Sequence, residues 1–158
     1  MGQPAGLSQE KSSKERIEKL SFICFEKNIN FYNSLVRRIH AENVFFVNDD
    51  VFNCAKHLPA EFGVSHKDVD CIISTLPCSF LNVNQLLPKA VLPLVKKEGF
   101  FIQYTHILSF LKGFRLNPLL RKYFAQISSD FVFLNIPPAL IYTCRNLKET
   151  EEAVDNTA

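Results

Sequence analysis

The sequence predicts an α/β fold whose mostly parallel β-sheet ends in an antiparallel hairpin. Short, nearly continuous apolar runs alternate with segments of helical periodicity, which is typical of parallel strands covered by helices on both faces. The last two apolar runs are separated only by a short connection that contains Pro137 and Pro138. Two strands joined in this way run antiparallel, because a parallel pair needs a much longer crossover.

Each predicted element follows from its apolar pattern. Strands are predicted over residues 20–25, 44–47, 69–74, 100–104, 131–134 and 139–144. Helices are predicted over residues 29–39, 51–62 (a short helix plus a loop), 83–95 and 117–124. Pro88 and Pro93 predict a kink or a break in the third helix, and Gly99 ends it. Asn117 and Pro118 are typical of the cap and the first position of the fourth helix.

The chain predicts one domain over residues 17–147, between two polar ends. Residues 1–16 and 148–158 offer few apolar side chains, so we expect both to be flexible tails. Residues 1–16 also lack the apolar run of a signal peptide, and no segment approaches the ~20 apolar residues of a membrane span. An odd count of five cysteines fits a reducing compartment. We therefore expect a cytoplasmic protein.

Composition argues against several function classes. A net charge of +2 is too small to indicate a nucleic-acid-binding protein by charge alone. No two cysteines form a C-x-x-C pair, so neither a zinc site nor a redox dithiol is expected. His40, His57 and His66 show no metal-ligand spacing, and no metal is expected.

Polar residues follow the first two predicted strands. In open α/β sheets, ligands bind beyond the carboxyl ends of the strands. Glu26 ends the first strand, where its carboxylate can accept hydrogen bonds from two ribose hydroxyls. An acid that favours the start of a helix is an equal alternative. Asp49 and Asp50 end the second strand, where an acid or its neighbouring amide can meet the amine of adenine; an ordinary turn or helix cap is the alternative.

The third and fourth strands also end in polar residues. Ser74, Thr75, Leu76 and Pro77 follow the third strand. Pro77 fixes the backbone, and the carbonyls before it are expected to face a cleft, where they can accept hydrogen bonds from an amine. A plain exit from a strand into a loop is the alternative. His106, near the end of the fourth strand, is a candidate base or pocket residue, although a structural or exposed histidine is preferred.

Six motifs, in this order, resemble the class I S-adenosylmethionine-dependent methyltransferases, and most closely the bacterial phospholipid N-methyltransferases. They are FEKN at 25–28, VNDDVF at 47–52, VDCIISTLP at 69–77, GFFIQYT at 99–105, LNIPPA at 134–139 and YTCR at 142–145. The resemblance extends from about residue 20 to residue 145. Each motif alone is weak, whereas their order, their spacing and the double proline near the end form a fairly specific set.

The resemblance implies a Rossmann-like, seven-stranded sheet and transfer of a methyl group from S-adenosylmethionine to the amine of phosphatidylethanolamine. Glu26 would then hold the ribose hydroxyls, and Asp50, or Asp49 in the other register, would lie beside the adenine. The catalytic residues, lining the cleft near the methyl group, would be Ser74, Leu76 and Pro77. Such a reaction depends mainly on aligning an uncharged amine with the methyl group. We expect Glu26, Asp50 and residues 74–77 to border one crevice.

The sequence departs from this family in one respect. The family has a glycine-rich loop just before the strand that ends in glutamate, and no such loop precedes Leu20. We therefore expect a truncated methyltransferase-like domain that lacks the first strand and helix of the fold, in which a second chain could complete the sheet. Whether this chain is itself an enzyme stays open, because the loop is what lets the backbone approach the cofactor.

For the phospholipid type, the expected partner is a lipid head group or a membrane surface, bound peripherally. Two alternatives to this type stay open. Ribosomal RNA adenine dimethyltransferases share the fold. Their fourth motif has asparagine where this chain has Ser74, and an aromatic residue where it has Cys78. The low net charge also disfavours RNA. The other alternative is a non-catalytic interaction module derived from a methyltransferase.

Overall fold

The computed structural model describes residues 21–76, 83–106, 116–134 and 137–148. The chain divides into two compact units, Met1–Val51 and Phe52–Ala158. Residues 1–16, predicted as a tail, lie outside the described residues, as does all but the first residue of the predicted tail 148–158. The single domain over residues 17–147 stays a prediction.

The first unit contains a strand, a helix and a second strand. They are β1 (Phe22–Phe25), α1 (Ile29–Arg38) and β2 (Val44–Val47). The two strands pair in parallel, with Phe25 opposite Val47. Helix α1 begins after Asn28, whose side-chain oxygen accepts from the backbone N–H groups of Asn30 and Phe31. Such a cap satisfies donors that have no partner inside the helix. Both strands therefore end side by side, and the chain turns at Asn28 into the helix.

The second unit is built on a four-stranded sheet with the order β3-β4-β6-β5. The strands are β3 (Val69–Ser74), β4 (Val95–His106), β5 (Phe124–Val132) and β6 (Ala139–Leu147). Strands β3 and β4 are parallel, and β6 runs antiparallel to both β4 and β5. Because β4 and β5 oppose the same strand, the carboxyl ends of β3, β4 and β5 lie at one edge of this sheet. The predicted α/β class is confirmed, whereas one mostly parallel sheet across both units stays a prediction.

Helices of the second unit are short. Helix α2 covers Cys54–Phe62, helix α3 begins as Val83–Leu86 and continues as a π-helical turn over Leu87–Val91, and helix α4 covers Leu116–Tyr123. None of the helices in the described ranges is long and apolar enough to cross a membrane.

The predicted helix over residues 83–95 is wrong at its C-terminal end. The helix stops at Val91, and Val95 already belongs to β4. Pro88 lies in the π-helical turn and Pro93 follows the helix, as expected of a residue that cannot donate to the preceding turn. Gly99 lies inside β4 and does not end a helix. A Cβ atom there would be 2.8 Å from the main-chain oxygen of Asp70, so the two strands can approach only at a glycine.

Other boundaries also differ from the prediction, and β4 and β6 are both longer than predicted. Asn117 was predicted as a cap, but the helix already begins at Leu116, and the Asn117 side chain accepts from Arg121 Nε instead. Strand β5 begins at Phe124 and ends at Val132, so Phe133 and Leu134 form a turn and not a strand. The hairpin is therefore longer than the apolar run that predicted it.

The core of the second unit is apolar and tightly enclosed. Residues with less than 2% exposure include Leu86, Leu87, Val91, Val95, Phe101, Leu120, Phe124 and Cys144. Each such large apolar side chain stabilises the fold by about 1.5–3 kcal/mol relative to an exposed position. The rings of Phe101 and Phe124 stack with centroids 6.1 Å apart. Along β4, alternate residues are buried, which places one face of the sheet against this core.

Candidate functional site

Glu26 lies at the carboxyl end of β1, as predicted, and is half-buried. Its backbone N–H donates to Val47 O at 3.0 Å, which continues the pairing of β1 with β2 by one residue. Its Oε1 accepts from the backbone N–H of Asn28 at 2.7 Å. The carboxylate thus supports the turn into α1, in line with the helix-start alternative. A carboxylate has about four acceptor positions, so a ligand can still be bound by the same side chain.

Asn48 joins the ends of the two strands. Its Nδ2 donates to Glu26 O at 2.8 Å and to Lys27 O at 3.3 Å. This contact was missed in the sequence, where Asn48 reads only as the first polar residue after an apolar run. It links the backbone that follows β1 to the backbone that follows β2.

Asp49 and Asp50 differ in what they bind. Asp49 Oδ1 accepts from the backbone N–H of Asp50 at 2.6 Å, which directs this side chain to its own turn. Asp50 Oδ2 forms an ion pair with Lys27 Nζ at 2.9 Å. The hydrogen bond and the charge of Asp50 raise the pKa of Lys27, and Asp49 adds to the effect. Asp50 therefore reaches across to the end of β1, and the structure brings Glu26, Asp49 and Asp50 to adjacent strand ends.

Ser74 and Leu76 lie at the carboxyl end of β3, where the side chain of Gln103 on β4 binds their main-chain oxygens. Ser74 is buried and stands opposite Gln103 in the parallel pair. Gln103 Nε2 donates to Ser74 O at 3.2 Å, to Leu76 O at 3.1 Å and to Tyr104 O at 2.7 Å. The two carbonyls predicted to accept from an amine thus already accept from a side-chain NH₂ group. Pro77, the third predicted catalytic residue, lies outside the described residues.

His106 ends β4 next to Tyr104. Its Nδ1 lies 3.4 Å from the Tyr104 hydroxyl, and the two rings meet edge to face at 5.2 Å. A catalytic histidine is usually oriented by a carboxylate, whereas the contact here is with a tyrosine. A structural role for His106 stays the preferred prediction. In the part of the chain that the structure describes, no three His, Cys, Asp or Glu side chains are grouped as metal ligands.

The site residues belong to two groups, one in each unit. Glu26, Asp49 and Asp50 lie in the first unit, and Ser74, Leu76 and Gln103 lie in the second. Glu26, Asp49 and Asp50 follow the ends of β1 and β2, and Ser74 and Leu76 lie at the end of β3. The expectation that both groups border one crevice stays a prediction, as do the roles of these residues.

Comparison with solved structures identifies the fold. A predicted O-methyltransferase from Agrobacterium tumefaciens is similar over 96% of this chain and 73% of its own, with 13% identity and a TM-score of 0.58. A ribosomal RNA methyltransferase from Plasmodium falciparum matches 89% of this chain and 80% of its own, with 16% identity and a TM-score of 0.52. The plantazolicin methyltransferase BpumL, solved with S-adenosylhomocysteine, matches 89% and 73%, with 10% identity and a TM-score of 0.53.

The chain has the class I methyltransferase fold. At these identities the likeness extends to the fold alone, and one fold supports many substrates. By their names the three proteins act on different kinds of acceptor. Comparison with protein-family models gives no match, and comparison with curated proteins gives none either.

Proposed function

We propose that this chain carries the adenosine-binding and acceptor-side strands of an S-adenosylmethionine-dependent N-methyltransferase whose acceptor is the amine of a phosphatidylethanolamine head group. The observation that carries the proposal is the placement of Glu26 and Asp50 at neighbouring ends of two parallel strands, linked by Asn48. In this class of fold, ligands bind beyond those strand ends.

The chemistry of adenosine fits the first group. Its ribose presents two adjacent hydroxyl donors and its adenine presents an exocyclic amine, so all three groups need acceptors. Glu26 would accept from the ribose hydroxyls and Asp50 from the adenine amine. Hydrogen bonds to a charged acceptor are about twice as strong as neutral ones. The Asn48 bridge would keep the two carboxylates at the spacing that the nucleoside requires.

S-adenosylmethionine supplies a methyl group that is already activated on a sulfonium sulfur. The protein is therefore left with binding, orientation and exclusion of water. The carboxyl end of β3, at Ser74 and Leu76, is suited to orientation, because an uncharged amine that donates to acceptors there keeps its lone pair available. The glycine-rich loop of the family is not in the sequence. Glu26 and Asp50 are accordingly the residues assigned to the adenosine.

An exposed apolar turn supports a lipid acceptor. Phe133 and Leu134, between β5 and β6, are 75% and 98% exposed. Val132 and His106 both pair with Ala139, so this turn rises from the same edge of the sheet at which β4 ends. Ser74, opposite Gln103, lies three residues below that edge, or about 10 Å along the strand. An apolar turn at this distance would enter a bilayer surface while a head group reaches Ser74.

The substrate is tested by transfer of a labelled methyl group. The full chain is incubated with labelled S-adenosylmethionine and either phosphatidylethanolamine liposomes or ribosomal RNA. The proposal predicts label in the lipid, its loss in Glu26→Ala, and its retention in Glu42→Ala, a matched carboxylate at the other end of β2. Label in the RNA and not in the lipid would overturn the phospholipid acceptor.

A further inference from the structure

Three buried polar side chains lie on one face of the sheet of the second unit. Ser74, Gln103 and Thr105 are 7%, 0% and 3% exposed. Ser74 stands opposite Gln103 on the neighbouring strand, and Thr105 follows two residues later on β4, so all three project to the same side. Gln103 pairs with Tyr142 of β6, which is also buried, and the next pair on this face, Phe101 and Cys144, is apolar and fully buried. Polar residues here interrupt a hydrophobic core.

The orientation of the Gln103 amide is fixed by its surroundings. Its Nε2 faces three carbonyl oxygens, those of Ser74, Leu76 and Tyr104. The reverse orientation would set Oε1 against three acceptors, with no proton to share. Oε1 therefore points away from these carbonyls. Gln103 holds the end of β3 with one side of its amide and presents a bare acceptor on the other.

Each of the three side chains has a polar atom with no hydrogen-bond partner among the described residues. Among the residues that the structure describes, none forms a hydrogen bond with Ser74 Oγ, Gln103 Oε1 or Thr105 Oγ1. A buried polar atom left in this state destabilises a fold, and native proteins hold few of them. A ligand that supplies hydrogen-bond donors removes that cost when it binds, and it gains strength from the absence of water.

We propose that Ser74 Oγ, Gln103 Oε1 and Thr105 Oγ1 form a buried acceptor site for the N–H groups of an aliphatic amine, with Gln103 as the residue that sets the geometry. The amide oxygen can only accept, so a ligand bound to it must bring a donor, and both hydroxyls can accept from the same donor group. The proposal deepens the proposed function and rests on it for the identity of the amine as methyl acceptor. Each methyl group added to the nitrogen removes one donor, so affinity decreases along the methylation series.

The test measures amine binding and stability on the full chain. O-phosphoethanolamine and its N-monomethyl and N-dimethyl forms are titrated calorimetrically, with and without S-adenosylhomocysteine, and urea unfolding is followed in parallel. The variants are Thr105→Val and Ser74→Ala, which remove a hydroxyl and little volume. Gln103→Met is a third variant. If it does not fold, Thr105→Val and Ser74→Ala still test the site. Thr143→Val is the matched control, since Thr143 pairs with Ile102 on the other face of the sheet.

The site predicts an unusual pair of results. Thr105→Val weakens phosphoethanolamine binding about fivefold and leaves the protein equally or more stable, because the lost hydroxyl had no partner. Thr143→Val changes no affinity, and each N-methyl group of the ligand weakens binding by a similar factor. Unchanged affinity in Thr105→Val and Ser74→Ala, lower stability in both, or no binding at millimolar amine would overturn the site. Amine binding with this pattern but no nucleoside binding would instead overturn the proposed function and leave the site standing.

Discussion

Asn48 of β2 donates its side-chain amide to the main-chain oxygen of Glu26 on β1, across 2.8 Å. The bond joins two strand ends whose side chains are candidates for the same nucleoside. It involves one residue that carries no charge and would not itself touch the ligand. Its expected effect is therefore on the spacing of the carboxylates.

Replacement of Asn48 tests that effect. Asn48→Ala removes the bridge and is expected to lower the free energy of unfolding by about 1 kcal/mol, the usual net worth of such a bond. The substitution should also weaken the binding of S-adenosylhomocysteine, because Glu26 and Asp50 lose their fixed separation. Calorimetric titration and urea unfolding check both effects, with Asn33→Ala on the exposed side of α1 as the control. Lower stability with unchanged nucleoside affinity would make the bridge merely structural.

Two glycines are expected to resist substitution for different reasons. Gly99→Ala places a Cβ atom 2.8 Å from Asp70 O and 2.9 Å from Val95 Cγ2, which we expect to cost about 1–3 kcal/mol of stability. Gly63 has open space around it but a φ of +66°, which costs an alanine about 1–2 kcal/mol. Asparagine tolerates that φ, so Gly63→Asn should be milder than Gly63→Ala. Gly99→Asn should be no more stable than Gly99→Ala. Urea unfolding of these two variants and of the two Gly63 variants measures the differences.

Stability should decrease at alkaline pH. Burial raises the pKa of Cys144 to about 12, whereas an unfolded thiol ionises near about 8.5. Between these values the folded chain holds a proton that the unfolded chain has lost, so the free energy of unfolding decreases as pH rises through this window. Burial also raises the pKa values of Cys24, Cys54 and Cys71, with the same sign.

Cys144→Ala should make that decrease shallower, whereas Cys71→Ser, at an exposed position, should change it less. The measurement is urea unfolding at intervals across the window. In the native protein at neutral pH, a maleimide should label Cys71 well before Cys144, which is fully buried. Equal labelling rates would show that the β4–β6 core opens readily.

The exposed hairpin turn should govern binding to lipid. Phe133→Ser combined with Leu134→Ser removes two large exposed apolar side chains, so stability should decrease only by the edge-to-face contact of Phe133 with Phe131, about 0.5–1.5 kcal/mol. Co-sedimentation with phosphatidylethanolamine liposomes should weaken by about tenfold or more, since burial of either side chain is worth about 1.5–3 kcal/mol. Phe31→Ser, at a 64% exposed position on α1, is the matched control. An equal loss in both variants would contradict a specific role of the turn.

The strands were predicted best where the apolar run is nearly continuous. Residues 44–47 and 69–74 form β2 and β3 as expected, although several of their side chains are exposed. Strand β5 was placed too late, because polar residues interrupt its apolar pattern and most of its side chains are exposed. Ser128, Ser129 and Asp130 look like a loop when only the apolar pattern is considered.

The candidate site was predictable in its charged residues and not in their supports. Glu26, Asp49 and Asp50 follow from the rule that ligands bind at strand ends. Asn48 and Gln103 act through main-chain oxygens of other strands, and such contacts depend on register, which no local pattern reveals. The sequence did contain a signal for Gln103. Phe101, Gln103 and Thr105 lie on one face of β4, and two polar residues on a buried face are unexpected.

The central claim is that Glu26 and Asp50 hold a nucleoside at the ends of β1 and β2. Calorimetric titration of the 158-residue chain with S-adenosylhomocysteine tests it most directly. We expect micromolar binding, weakened about tenfold or more in Glu26→Ala and in Asp50→Ala, as for loss of a charged hydrogen bond, and unchanged in Glu42→Ala. No detectable binding at millimolar ligand, or equal affinity in Glu26→Ala and the unsubstituted chain, would contradict the account.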